Sequence, residues 1–157
     1  MTDAEKIEKA KALLGAKLTG TTNPAPHRVF LTVPVGDLTA AVAVLKKELD
    51  CWYLATVSGI DKGDVFEVLY HFGDTSGNIN VRTSIPKSDP RLPSICGVIP
   101  GAVLYERELQ DMFGIVVEGI PDARPLVLPD DWEAGNFPLR KDWTFARLKE
   151  IIPGGRS

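Results

Sequence analysis

The sequence predicts an α+β domain: a mostly antiparallel sheet of about four strands with helices on one face, followed by a long irregular C-terminal tail. Three observations predict it. Short runs rich in β-branched and aromatic residues, several alternating apolar with polar, recur between Arg28 and Ile85. Other segments carry apolar residues at i, i+4 and i+7, the spacing of one helix face. From Gly119 onward the pattern changes, and Pro121, Pro125, Pro129, Pro138 and Pro153 punctuate a stretch with no long periodic segment. The resulting division is residues 1–118 for the domain and 119–157 for an extended docking tail.

Taken in order, Thr2 and Glu5 form a Thr-x-x-Glu capping box ahead of a helix carrying Ile7, Ala10, Leu13 and Leu14. Gly15 or Gly20 ends it. Thr21 to Pro26, with Asn23-Pro24 inside, reads as a linker. His27 at its exit reads as a surface residue, since nothing nearby completes a ligand set. Arg28 to Val33 alternates as a strand. Asp37 is placed to cap a second helix with Leu38, Val42, Leu45 and Leu49 on one face. Lys46 and Lys47 sit near its C-terminus, where the helix dipole favours cations. Cys51 to Ile60 and Val65 to Phe72 read as a hairpin about Asp61-Lys62-Gly63-Asp64. Asn78 to Ile85 adds the third strand of a meander, with Arg28 to Val33 as the fourth strand of the sheet. His71, alone on its strand, reads as packed or solvated rather than catalytic. Phe145 to Ile152 has room for a short terminal helix.

The composition narrows the function. At 157 residues the chain suits one domain with a real core, and 44% hydrophobic and 25% charged residues are ordinary globular values. A net charge of −3 without a basic stripe argues against a nucleic-acid partner. Cys51 and Cys96 lie far apart with no ligand spacing, and a cluster needs about four thiolates, so both read as buried free thiols. The start lacks the apolar core of a secretory signal. The longest uncharged stretch, Leu92 to Tyr105, is short and broken by Pro93, Pro100 and Gly101, so membrane association is expected only through a partner. Nucleotide, phosphate-loop, zinc-protease and serine-elbow motifs are absent, so no catalytic residue is expected.

Tyr105 to Ile115 is the densest stretch. Wound as a helix, it puts Tyr105, Leu109, Met112 and Phe113 on one side and Arg107 with Asp111 on the other. Glu106 and Glu108 border the apolar stripe, and Gly114 stands where a left-handed residue would end the helix. The simplest reading is an amphipathic helix with a solvated charged face. Acids bordering so bulky a stripe would be partly desolvated, however, and buried charges need partners. Arg140 is the candidate, folding back to meet one of these acids or its equivalent in another chain. The acids point in different directions around the helix, which is poor geometry for one ion. The tail is studded with Leu126, Leu128, Trp132, Phe137, Leu139 and Trp143. Such a stretch wraps its own domain or docks on another chain.

The run Glu106-Arg107-Glu108-Leu109-Gln110-Asp111-Met112-Phe113-Gly114-Ile115, followed by Pro138-Leu139-Arg140-Lys141-Asp142, resembles the signature of one respiratory-complex family. That family is the thirty-kilodalton subunit of complex I and its relatives in membrane-bound energy-converting hydrogenases. Leu126 to Trp132, with Asp130 inside it, resembles the hydrogenase-type branch more than the NADH dehydrogenase branch. The resemblance implies a non-catalytic subunit in the cytoplasmic arm of a membrane-bound redox complex, peripheral to the inner face of the membrane. Its implied partners are the large subunit and a neighbouring iron–sulfur subunit. Iron–sulfur clusters, and a nickel–iron centre or quinone, are expected in those partners and not in this chain. Glu106, Arg107, Glu108, Asp111, Phe113, Gly114, Asp130, Trp132 and the run Pro138, Leu139, Arg140, Lys141 and Asp142 are then the signature and interface candidates. The alternative is a stand-alone α+β small-molecule-binding domain or soluble enzyme, with the charged helix as a pocket wall.

Overall fold

Helix α1, Asp3–Leu14, begins at the expected capping box. Thr2 Oγ1 accepts from the Glu5 amide at 3.3 Å, and Glu5 Oε2 accepts from the Thr2 amide at 2.8 Å. The computed structural model describes residues 1–74 and 77–151 of the chain. Ala10 and Leu14 are buried as the spacing predicts, while Leu13 stands partly in solvent.

The segment expected to be a linker is instead a strand. Strand β1, Gly20–Ala25, pairs antiparallel with β2, Arg28–Thr32, and the turn between them puts His27 at φ +62°. Two features hid it. β1 is an edge strand whose side chains are largely exposed, so it needs no apolar alternation. Asn23-Pro24 also falls where the register shifts between Thr22 and Ala25, so proline's missing N–H breaks no ladder bond.

A 3₁₀ turn, Val35–Asp37, leads into α2, Leu38–Leu49. Asp37 holds the N-cap position, but its side chain makes no capping bond; it lies 3.9 Å from Lys17 instead. Leu38, Val42, Leu45 and Leu49 are all buried, as their spacing requires. Strand β3, Leu54–Asp61, starts three residues later than expected, leaving Trp52 and Tyr53 outside it and exposed. Strands β4, Val65–Asp74, and β5, Gly77–Pro86, complete the antiparallel meander. β5 then runs parallel to β2, giving the order β1-β2-β5-β4-β3.

Val29, Leu31, Phe66, Val68, Tyr70 and Val81 point from the sheet into one core shared with the helices. On the opposite face His71 is half-buried in a polar ladder, with Nδ1 2.6 Å from Asn80 Oδ1 and Nε2 3.0 Å from Ser58 Oγ. Cys51 and Cys96 are both buried.

Strand β6, Arg91–Pro93, pairs parallel with β7, Val116–Glu118, and helix α3, Ala102–Phe113, lies between them in sequence. α3 packs on β3. Gly59 allows that approach, because a Cβ there would meet the Phe113 ring and Leu109. A short helix α4, Phe145–Ile151, ends the described chain. Residues 152–157 of the predicted tail, and residues 75 and 76 of the β4–β5 turn, lie outside the described residues.

Candidate functional site

Helix α3 organises the site by holding two separate loops with three side chains. Glu106 is fully buried. Its Oε1 accepts from the Ile95 amide at 2.8 Å, and its Oε2 accepts from Ser94 Oγ at 2.6 Å and Cys96 Sγ at 3.2 Å. The carboxylate therefore exchanges water for three donors of the loop before the helix, which compensates its desolvation. Burial pushes the Cys96 thiol up, the Ser94 hydrogen bond opposes this, and Glu106 reinforces it, leaving the thiol at about 11. It stays protonated at neutral pH and is a poor nucleophile. The buried Tyr70 hydroxyl is raised too, first by burial and then by the charge of Glu106.

Further along and around the helix, Asp111 holds the opposite loop. Its Oδ2 accepts from the consecutive amides of Leu126, Val127 and Leu128 at 2.8, 2.7 and 3.3 Å. Arg107, four residues earlier, donates to the carbonyls of Arg124 and Pro125 at 2.7 and 2.8 Å and lies 3.2 Å from Asp122. The Arg124 hydrogen bonds, side chain then backbone, hold the Asp122 carboxyl well below the ordinary range. The charged face is therefore not solvated. It grips residues 122–128 and bends them into an arch whose Leu126 and Val127 side chains face outward. Glu108 differs from Glu106 and Asp111 in being exposed.

Arg140 does not meet any of these acids. Its Nε donates to the Phe113 carbonyl at 2.7 Å, and its guanidinium lies 5.3 Å and 4.5 Å from the Phe66 and Phe137 ring centroids. The reason is local: Glu106 and Asp111 are already satisfied by donors of their own loops, whereas the last turn of α3 leaves carbonyls without helical partners. Gly114, at φ +66°, ends the helix as expected, and a Cβ there would overlap Phe137 and crowd Arg140. Leu139 donates its amide to the Met112 carbonyl, which fixes Pro138 and Leu139 beside the helix end.

Asp61, expected only as a turn residue, anchors the rest of this block. Its Oδ1 accepts from the Gly63 amide at 2.8 Å, while Oδ2 accepts from Lys87 Nζ at 2.7 Å and the Lys141 amide at 2.9 Å. Burial pushes the Asp61 carboxyl up, but the Lys87, Lys141 and Gly63 hydrogen bonds outweigh it and hold it at about 2. Lys87 is raised in turn, chiefly by Asp61, and lies 3.3 Å from Asp142. The turn signal masked this role because it accounts for only one of the two carboxylate oxygens. Asp130 stays exposed at the rim of a cleft of about 350 Å³ beside Trp132. Trp132 itself donates from Nε1 to the Asn136 carbonyl.

The chemistry of the site is that of clamps. Among the described residues no three His, Cys, Asp or Glu side chains group to hold a metal, and no helix is long and apolar enough to cross a membrane.

The family model described as respiratory-chain NADH dehydrogenase, 30 Kd subunit, matches residues 31–148. An NADH-quinone oxidoreductase subunit of Chloroherpeton thalassium is 38% identical over 136 residues, covering 82% of this chain and 55% of the relative. Formate hydrogenlyase subunit 5 of Escherichia coli is 37% identical over 121 residues, covering 73% of this chain and 21% of the relative. The chain thus spans about half the length of the first relative and about a fifth of the second. A solved structure of the membrane-bound sulfane sulfur reductase, an archaeal respiratory membrane complex, shares the fold with a TM-score of 0.78. That likeness is at 22% identity and covers 96% of this chain and 91% of that one.

Proposed function

The chain belongs to the respiratory-chain NADH dehydrogenase 30 Kd subunit family, and on that premise we propose that it is a non-catalytic structural subunit of a membrane-bound redox complex. In this reading it sits in the cytoplasmic arm, at the inner face of the membrane, and packs against the large subunit with an iron–sulfur subunit nearby. Residues 119–157 act as its docking tail. Iron–sulfur clusters, and a nickel–iron centre or quinone, belong to those partners. The resemblance of Leu126 to Trp132 favours an energy-converting hydrogenase-type complex over an NADH:quinone type.

The observation that carries the reading is the arch on Asp111. Three amides converge on one carboxylate to hold a loop that presents Leu126 and Val127 to solvent. A chain that uses its signature acids to shape an apolar outward edge is built to be touched by another protein. Of the signature residues, Arg107 and Asp111 shape that surface, while Glu106 holds the loop before α3 and Gly114 and Arg140 fix the chain at its end. Glu108, Asp130, Trp132, Leu139, Lys141 and Asp142 are its contact candidates.

The experiment is purification of the tagged full chain from its own host under mild detergent, with the co-purifying polypeptides identified. Recovery of a large subunit and membrane subunits is expected. A monomer that retains no such polypeptide and turns over a small molecule would overturn the proposal in favour of a stand-alone domain.

A further inference from the structure

A second apolar surface lies away from the arch, at the other end of α3. Trp52 and Tyr53 are 60% and 56% exposed, beside Pro100, Gly101 and Tyr105 at the start of α3. Nothing in the core or the signature accounts for two adjacent aromatic rings left in water. The rings meet edge to face with centroids 6.0 Å apart. The Tyr53 carbonyl accepts from the Gly73 amide at 3.1 Å, and Tyr105 Oη donates to the Ala55 carbonyl at 2.9 Å close by. They border a cleft of about 400 Å³, and Lys46 is the one charged side chain among the described residues lining it. Lys46 Nζ donates to the Val98 carbonyl at 2.8 Å. An ammonium has three donors, so others remain to face the cleft.

We infer that Trp52, Tyr53 and Lys46 form a second docking point for an acid-bearing apolar segment of the larger partner polypeptide. The inference rests on the complex-subunit reading above and adds a contact outside the family signature. Trp and Tyr are the residues that dominate contact energy between chains, since each buries a large amphipathic ring at the cost of ordering two side-chain angles. The single cation sets the sign of the occupant's charge. The size of the occupant follows from formate hydrogenlyase subunit 5, where a region like this chain makes up 21% of one polypeptide and so sits beside a far larger body.

The test uses the full chain with p-benzoylphenylalanine in place of Trp52, expressed in its own host and irradiated before purification. The expected product is a crosslink to an Asp- or Glu-containing segment of the larger polypeptide that co-purifies with the wild type. In parallel, Trp52→Ala with Tyr53→Ala, and separately Lys46→Glu, should each weaken retention of that polypeptide about tenfold. The aromatic variant should leave the melting temperature at the wild-type value, since those side chains stand largely in solvent. Lys46→Glu also gives up the Val98 hydrogen bond, so its retention is compared with that of Lys46→Ala, which loses the same bond without adding an acid. Undiminished retention by the variants overturns the docking point, as does a crosslink only to a second copy of this chain. A loss confined to the aromatic variant overturns the assignment of acidic chemistry. If the wild type itself retains no larger polypeptide, the complex-subunit reading falls and the docking point with it.

Discussion

The sheet and the tail are held by different forces. Residues 20–86 are joined by five strands whose inward side chains share one apolar core with α1 and α2. Residues 119–144 bury few large side chains, and Leu126, Val127 and Leu139 stand largely in solvent. What fixes the tail is a small set of polar groups: Asp111, Arg107, Asp61 and the carbonyls at the end of α3. Hydrophobic burial is spread over many contacts, so the sheet tolerates the loss of any one of them. Charge-assisted hydrogen bonds are concentrated, so one substitution releases a whole loop. Tail order is therefore expected to be local and separable from folding of the sheet, which the following substitutions test.

Glu106 holds the loop before α3 rather than the tail, and as the fully buried anchor it should give the largest effect. Glu106→Ala leaves the Ile95 amide, Ser94 and Cys96 without their acceptor in a buried site. The expected loss is about 3–5 kcal/mol of global stability, read by denaturant unfolding. A loss under about 1 kcal/mol would mean that water reaches the site and that the loop is held by other contacts.

Asp111→Ala should come next and should divide the two regions. The amides of Leu126, Val127 and Leu128 lose a shared carboxylate, at a local cost of about 2–3 kcal/mol. Hydrogen exchange at those three amides should accelerate while β4 and β5 keep their protection. Equal acceleration in both would refute the separation of tail from sheet.

Asp61 supplies a pH test of intermediate size. Its carboxyl is held at about 2 in the folded chain, below its ordinary value of 3.8. A depressed folded value stabilises above the unfolded one and is lost as pH falls towards the folded one. The contribution, about 2 kcal/mol, is therefore full above about pH 4 and fades between about 4 and 2. Subtracting the acid-unfolding curve of Asp61→Asn from that of the wild type isolates it. Parallel curves would show that Lys87 and Lys141 do not hold the carboxylate.

Glu108→Ala should be the mildest, within about 0.5 kcal/mol in thermal melts, because the residue is exposed and belongs to neither region's scaffold. A larger loss would mean that the charged side of α3 is held as one unit.

Much of this was legible in the chain itself. Periodicity placed α2 and its buried face, the capping box opened α1, Gly114 closed α3, and the strands of the meander follow their apolar alternation. Those features are local: each is decided by residues within a turn or a strand of one another. The signature motifs likewise identified α3 and Pro138 to Asp142 as belonging together. Tertiary structure alone decided who holds whom. Arg140 was expected on an acid but sits on a carbonyl and two rings, because donors from other loops had already filled Glu106 and Asp111. Asp61 anchors Lys141 across 80 residues, and β1 forms because β2 supplies the partner its own exposed sequence does not advertise. Such pairings depend on which donors the fold brings within about 3 Å of an acceptor, and residue type and spacing carry no record of that distance.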